Sequence, residues 1–197
     1  MSEFLTHPGL LRVFAEAQRV GALGPVHPTD VIAHSLSFVN ALPEGAQLCA
    51  DLGTGAGVPG LVIAVARPEL RVLLVDRRAK RTDALTRAAA SLGLEHRVEV
   101  HCGDAGVLGE SAFHHSVDVV TCRGFGSTET TIRLATPWVR SGGKVIVSEP
   151  PETEGDRWTG VDLAAAHTSA PVRMGQVAVF HVEHPPPRGT RELALMA

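Results

Sequence analysis

Between residues 47 and 148 short apolar runs alternate with longer stretches of helical period. Gln47–Leu52, Val72–Asp76, Val98–Cys102, Val117–Cys122 and Lys144–Ser148 are rich in Val, Leu and Cys and are bounded by Gly, Pro or charged residues, so each is predicted as a strand. Pro59–Ala66, Ala79–Leu92 and Ser127–Val139 are predicted as helices between them. Proline opens the first, where its missing N–H costs nothing, and Gly93 closes the second. Strands separated by helices of this length imply crossover connections and a parallel sheet. The nearly unbroken apolar character of the strands fits a sheet covered on both faces.

The two ends depart from this rhythm. Leu10, Leu11, Phe14 and Ala17 mark a helix over Leu10–Val20, followed by a Gly/Pro-rich break from Gly21 to Pro28. Thr29 and Asp30 are expected to cap a second helix running to Leu42. Near the other end a short helix is expected over Val161–Ala166, then two strands, Val172–Met174 and Gln176–Glu183, joined tightly at Gly175 and therefore antiparallel. The expected fold class is α/β: a Rossmann-like, mostly parallel seven-stranded sheet with an antiparallel C-terminal strand. Residues 1–45 form an N-terminal helical segment, 46–184 the ligand-binding domain and 185–197 a loose tail.

Composition narrows the class. The chain has 197 residues, 44% hydrophobic and 20% charged, a balance that suits one globular domain. A net charge of −3 argues against gripping nucleic acid over the whole surface, while leaving room for a local basic patch. Arg77, Arg78, Lys80 and Arg81 are that patch, at the start of a helix, where cations oppose the macrodipole. A solvated helix face explains them as well as a substrate contact does. Cys49, Cys102 and Cys122 form no Cys-x-x-Cys pair and read as buried free thiols. His114-His115 and His181/His184 come nearest to a metal pattern but lack an acidic or Cys partner at ligand spacing, so no metal is expected. No basic leader or membrane-length apolar run occurs, and a cytoplasmic monomer is expected.

The sharpest chemical signal is Asp51-Leu52-Gly53-Thr54-Gly55-Ala56-Gly57-Val58-Pro59-Gly60, which leaves a strand and enters a helix. Glycines there let the chain turn tightly and let a ligand reach the main chain. Residues 55–60 also fit the dinucleotide fingerprint, and Asp76 at the tip of the second strand could hold ribose hydroxyls in either case. Asp51 favours S-adenosylmethionine: a carboxylate there suits the cationic methionine end and is a poor neighbour for pyrophosphate. Asp104, just past the third strand, is placed to accept a hydrogen bond from the adenine amino group. These acids mark the carboxyl ends of successive strands, where open α/β sheets bind ligands.

Asp51–Gly60, Asp76 with Ala79-Lys80-Arg81 behind it, and Cys122-Arg123-Gly124-Phe125-Gly126-Ser127 together resemble the guanine-N7 methyltransferases of small-subunit (16S) ribosomal RNA, also called glucose-inhibited division protein B. The resemblance runs over residues 30–148. It implies a class I S-adenosylmethionine-dependent methyltransferase, with Gly53, Val58, Asp104, Ala105 and Arg123 lining the cofactor site. Asp51, Gly55, Gly57 and Asp76 join that set from the residues themselves. Arg123 is also the candidate for positioning the reacting groups, and Arg77, Arg78, Lys80 and Arg81 the candidates for touching RNA. Guanine N7 carries a lone pair and no proton, so positioning rather than a base should dominate the rate. The place after the fourth strand lacks the Asp/Asn-Pro-Pro-aromatic motif of amine methyltransferases.

The chain departs from the family in places. The family's His-x-x-Asp-Ser element stands as Val31-Ile32-Ala33-His34-Ser35, and a lysine after the fifth strand is replaced by Glu149. Glu149, Glu152, Glu154 and Asp156 form an acidic stretch expected beside the substrate opening, where phosphates would be repelled. Four readings therefore stand: a methyltransferase of 16S ribosomal RNA or the small ribosomal subunit, a divergent methyltransferase of a small molecule or another acceptor, a non-catalytic cofactor-binding protein and, last, a nicotinamide-dependent oxidoreductase.

Overall fold

The computed structural model describes residues 2–150 and 157–185. The acidic positions Glu152, Glu154 and Asp156 and the expected tail from residue 186 lie outside the described residues. Helices α1 (Ser2–Leu5), α2 (Pro8–Arg19) and α3 (Pro28–Ala41) precede the first strand. Then β1 (Leu48–Leu52), α4 (Gly60–Ala66), β2 (Arg71–Asp76), α5 (Ala79–Ser91), β3 (Val98–Cys102), α6 (Ala105–Gly109), β4 (Val117–Cys122), α7 (Thr128–Ala135) and β5 (Val139–Ser148) alternate. Strands β6 (Val172–Met174) and β7 (Val177–His181) close the sheet.

The seven strands lie in the order β3-β2-β1-β4-β5-β7-β6. All pairings from β3 to β5 are parallel, and β7 is antiparallel to both of its neighbours. The expected fold class holds. Alternate strand residues feed two cores. Cys49, Val72, Leu74 and Val119 pack under α2 to α5, with Phe14, Ile32, Leu61 and Leu85 among their partners. Ala50, Leu73, Val75 and Val120 face α6 and α7, with Ile132, Ala135 and Trp138. Burial of the strands on both faces is why they read as apolar runs rather than as alternating ones.

Connections leave β1 and β4 in opposite directions across the sheet, so the carboxyl ends of these neighbours open into a crevice. Asp51 and Thr121, 70 positions apart in sequence, are register partners in this β1–β4 pair.

Several local expectations change. Helix α3 starts at Pro28 and is capped by His27, whose Nδ1 accepts from the Thr29 N–H, not by Thr29 or Asp30. Proline at the first helical position pulls the boundary back. Residues 163–167 form turns rather than the expected helix. Cys49 and Cys122 are buried, but Cys102 is exposed at the end of β3. No described helix is long and apolar enough to cross a membrane.

The histidines gather where the sequence did not place them together. His115 stacks on His114 at 3.9 Å between ring centroids and on His184 at 3.6 Å, with His167 edge-on to His184 at 5.9 Å. Stacked rings present their faces, not converging lone pairs, and no metal-binding group of His, Cys, Asp or Glu is found among the described residues.

Candidate functional site

A cleft of about 540 Å³ lies at the crevice between β1 and β4. Its floor is the glycine loop, Gly53 to Ala56 with Val58. Arg123 and Gly124, just past β4, form one wall, Ser148 at the end of β5 adds to it, and Arg81 of α5 stands across from them. The roof is the link between α2 and α3, through Ala22, Leu23, Gly24 and Val26. That link is held by the Gln18 side-chain amide, which donates to the carbonyls of Gly24 (2.9 Å) and Val26.

The loop has its shape for specific reasons. Gly53 adopts φ +66°, and a Cβ there would lie 2.6 Å from the Phe125 ring, so the aromatic residue after β4 packs directly on the first glycine. At the other end a Cβ on Gly60 would fall 2.3 Å from Leu74 and 2.8 Å from the Asp51 carboxylate. Absence of a side chain lets Asp51 reach the Gly60 N–H at 2.9 Å. The second Asp51 oxygen accepts from the Thr121 hydroxyl at 2.9 Å. Asp51 is fully buried, and its pKa is pushed up to about 6, by burial against the pull of these hydrogen bonds and of the Arg123 charge. Its carboxylate therefore ties the start of α4 to β1 and β4 beneath the cleft, with both oxygens turned into the protein.

Asp76 is 4% exposed at the tip of β2. Its Oδ1 accepts from the Arg78 N–H at 2.9 Å. Its Oδ2 accepts from the Gly55 N–H and from the Arg81 guanidinium, each at 3.2 Å. Of the four clustered cations, Arg77, Arg78 and Lys80 are exposed, while Arg81 alone is turned into the cleft.

Asp104 and Ala105 are not among the residues that line the cleft. Asp104 is exposed, and one of its oxygens caps α6 by accepting from the N–H groups of Gly106 (2.9 Å) and Val107 (3.3 Å). Ala105 is buried, and its carbonyl accepts from the Trp138 indole at 2.8 Å. Gly57 is also buried, against Leu61 and Leu85.

Arg123 is half-buried and makes no hydrogen bond or ion pair among the described residues. Burial lowers its pKa, against the opposing attraction of Asp51, but a guanidinium stays charged. His34 of α3 feels that charge: burial first, and Arg123 second, lower its pKa and favour the neutral ring. Its Nδ1 is buried without a hydrogen-bond partner among the described residues.

Glu149 is not among the residues that line the cleft. It is 7% exposed and accepts from the Trp158 indole at 2.9 Å, with Arg157 at 3.4 Å. Its charge is matched inside the protein. The expectation of a repelling carboxylate at this position is therefore corrected. Trp158, with an indole N–H that needs a buried acceptor, was the overlooked signal.

The roof residues 22–26, and Ser148, carry no motif and were missed. A Gly/Pro-rich link has no periodicity from which to place it over a ligand.

The family model for rRNA small subunit methyltransferase G (GidB) matches residues 26–155. Ribosomal RNA small subunit methyltransferase G of Sorangium cellulosum is 39% identical over 145 residues, which cover 70% of this chain and 60% of the relative. The protein of the same name from Deinococcus radiodurans is 39% identical over 112 residues, covering 56% and 44%. The chain thus spans about half to three-fifths of the length of these curated relatives. Among solved structures, an S-adenosylmethionine-dependent methyltransferase, SibL, matches with a TM-score of 0.62 at 19% identity, over 93% of this chain and 62% of that one. That likeness shows a shared class I methyltransferase fold. A SAM-dependent methyltransferase from Thiobacillus denitrificans in complex with S-adenosyl-L-homocysteine matches with a TM-score of 0.52 at 28% identity, over 73% and 59%.

Proposed function

The chain belongs to the rRNA small subunit methyltransferase G family, and from that premise we propose that it transfers a methyl group from S-adenosylmethionine to guanine N7 in 16S ribosomal RNA. One observation carries the reading: a half-buried guanidinium, Arg123, with no hydrogen bond or ion pair among the described residues, faces a glycine loop across a cleft at the carboxyl edge of the sheet.

The residues present fit this cofactor. Arg123 suits the amino-acid carboxylate, because a desolvated cation gains most from a charged acceptor. Gly53 and Gly55 line the cleft, and Asp76 lies under Gly55 with a carboxylate suited to ribose hydroxyls. Asp104 commits one oxygen to its helix and is exposed, which leaves its other oxygen available to the adenine amino group. Asp51 acts through the loop, holding Gly60 and Thr121 in place.

S-adenosylmethionine supplies an electrophilic methyl group on sulfur. The acceptor nitrogen has no proton to lose, so the chain's task is to orient and to exclude water, and Arg123 is the positioning residue. Exposed Arg77, Arg78 and Lys80 at the start of α5 are suited to phosphates on the approach to the cleft. The internal matching of Glu149 removes one electrostatic objection to an RNA acceptor. A cytoplasmic location goes with this substrate.

The test is to incubate the protein with labelled S-adenosylmethionine and small ribosomal subunits lacking the modification. Label in 7-methylguanosine of 16S RNA is expected. Label appearing only in small molecules would replace the acceptor, and no turnover to S-adenosylhomocysteine with any acceptor would leave a binding protein.

A further inference from the structure

We propose that Arg81 is an internal stand-in for the cofactor's ribose, holding the acceptor on Asp76 that a sugar hydroxyl needs and swinging away when the sugar binds. This rests on the cofactor reading above and goes beyond it, because it assigns Arg81 to cofactor selection rather than to RNA.

A carboxylate offers about four acceptor positions, two on each oxygen. Three of those on Asp76 are taken: by the Arg78 N–H on Oδ1, and by the Gly55 N–H and the Arg81 guanidinium on Oδ2. The two backbone donors are fixed by the loop and by the start of α5. A vicinal diol brings two hydroxyl donors, and one free position cannot take both. Arg81 is the only one of the three that can leave by side-chain rotation alone.

Its position agrees. The guanidinium lies over Gly55, where a Cβ would come within 3.9 Å of its Nη1, so it covers main chain that a ligand would otherwise reach. The pair is also weak enough to open. Arg81 is 33% exposed in its side chain although Asp76 is only 4% exposed. The contact is a single 3.2 Å hydrogen bond from a partly solvated guanidinium, and sugar hydroxyls that replace it keep the buried carboxylate satisfied. The displaced guanidinium reaches water beside the exposed Lys80 and Arg77.

Calorimetry with S-adenosylhomocysteine, which is not turned over, separates the possibilities. Arg81→Ala and Arg81→Gln are compared with the unaltered protein, each checked for an unchanged melting curve. The glutamine variant keeps most of the stem should the alanine variant fold poorly. Both substitutions are expected to tighten binding, by about fivefold, because the ligand no longer competes with an internal donor. The gain should vanish for the 2′,3′-dideoxyribose counterpart, which brings no diol. Equal or weaker binding by both variants, or the same gain for the dideoxy ligand, overturns the role of Arg81 alone. Failure of the unaltered protein to bind S-adenosylhomocysteine overturns the cofactor reading, and this inference with it.

Discussion

A carboxylate taken wholly out of water is tolerated only where donors meet its oxygens, and Asp51 has the Gly60 N–H on one and the Thr121 hydroxyl on the other. Burial still outweighs them and raises the pKa from 3.8 to about 6. For an acid whose folded pKa is raised, the favourable contribution is complete below 3.8 and is lost as pH rises through about 6. The ionised form then costs the fold at most about 3 kcal/mol at neutral pH. Asp51→Asn keeps the shape, an acceptor for Gly60 and a partner for Thr121 without the charge. Urea denaturation should find this variant more stable than the wild type at pH 8, with the difference shrinking toward pH 4. Arg123 makes the opposite case. It has no hydrogen bond to the described protein to lose, only its attraction for Asp51, so Arg123→Ala should cost no more than about 1 kcal/mol of stability. Affinity for S-adenosylhomocysteine should fall by about tenfold or more, the worth of a charge-assisted contact. A large loss of stability with unaltered binding would make Arg123 a structural residue.

Helix α6 is where local preference and packing pull apart. Alanine is favoured over glycine in a helix by about 1 kcal/mol. A Cβ on Gly109, however, would lie 2.3 Å from Nε1 and 2.4 Å from Cδ1 of Trp138, a fully buried ring stacked on Phe113. Forcing that ring aside costs about 1–3 kcal/mol and breaks its bond to Ala105, so packing wins. Gly109→Ala should lower the denaturation midpoint although it improves the helix; a rise would sink the argument. The same helix explains a limit of sequence reading. Five residues are too few to display a period, and Asp104 was legible as a ligand contact while its role as a helix cap was not. The central strands were legible because burial on both faces leaves few polar residues in them. Strand β5 was read only from Lys144, because Gly142-Gly143 looks like a break. Gly143 is instead a close approach within the strand, where a Cβ would come 2.6 Å from the Asp118 carbonyl. Residues 163–167 fold into turns that the apolar spacing of Val161–Ala166 did not reveal.

Over the whole molecule two titrations oppose each other. His115 has a lowered pKa, first from burial and then from the charges of His184, His114 and His167 around it. A base with a lowered folded pKa gives stability that is present above 6.5 and lost as pH falls below it. Glu183, which accepts from the Ser141 hydroxyl near His184, is the acid at this cluster. With Asp51 acting in the other direction, the two groups together should put a trough in the melting temperature near pH 6. His115→Gln should flatten the rise on the alkaline side of that trough and leave the fall on its acid side, which belongs to Asp51, unchanged; a variant curve identical to the wild type between about pH 5.5 and 7 would contradict this. At this scale the glycine loop, Asp76 and Arg123 were legible as motifs, each ending a strand. Their convergence with residues 22–26 was not, because it arises from how α2 and α3 lie over the sheet. The Asp51 carboxylate joins β1, β4 and the start of α4 under the cleft. A foundation joined in this way does not yield when a ligand arrives, so accommodation falls to the rim: the link hung from Gln18, and the long side chains of Arg81 and Arg123. Amide hydrogens of the Gly60 turn should exchange slowly with or without ligand, while those of residues 22–26 record its coming and going.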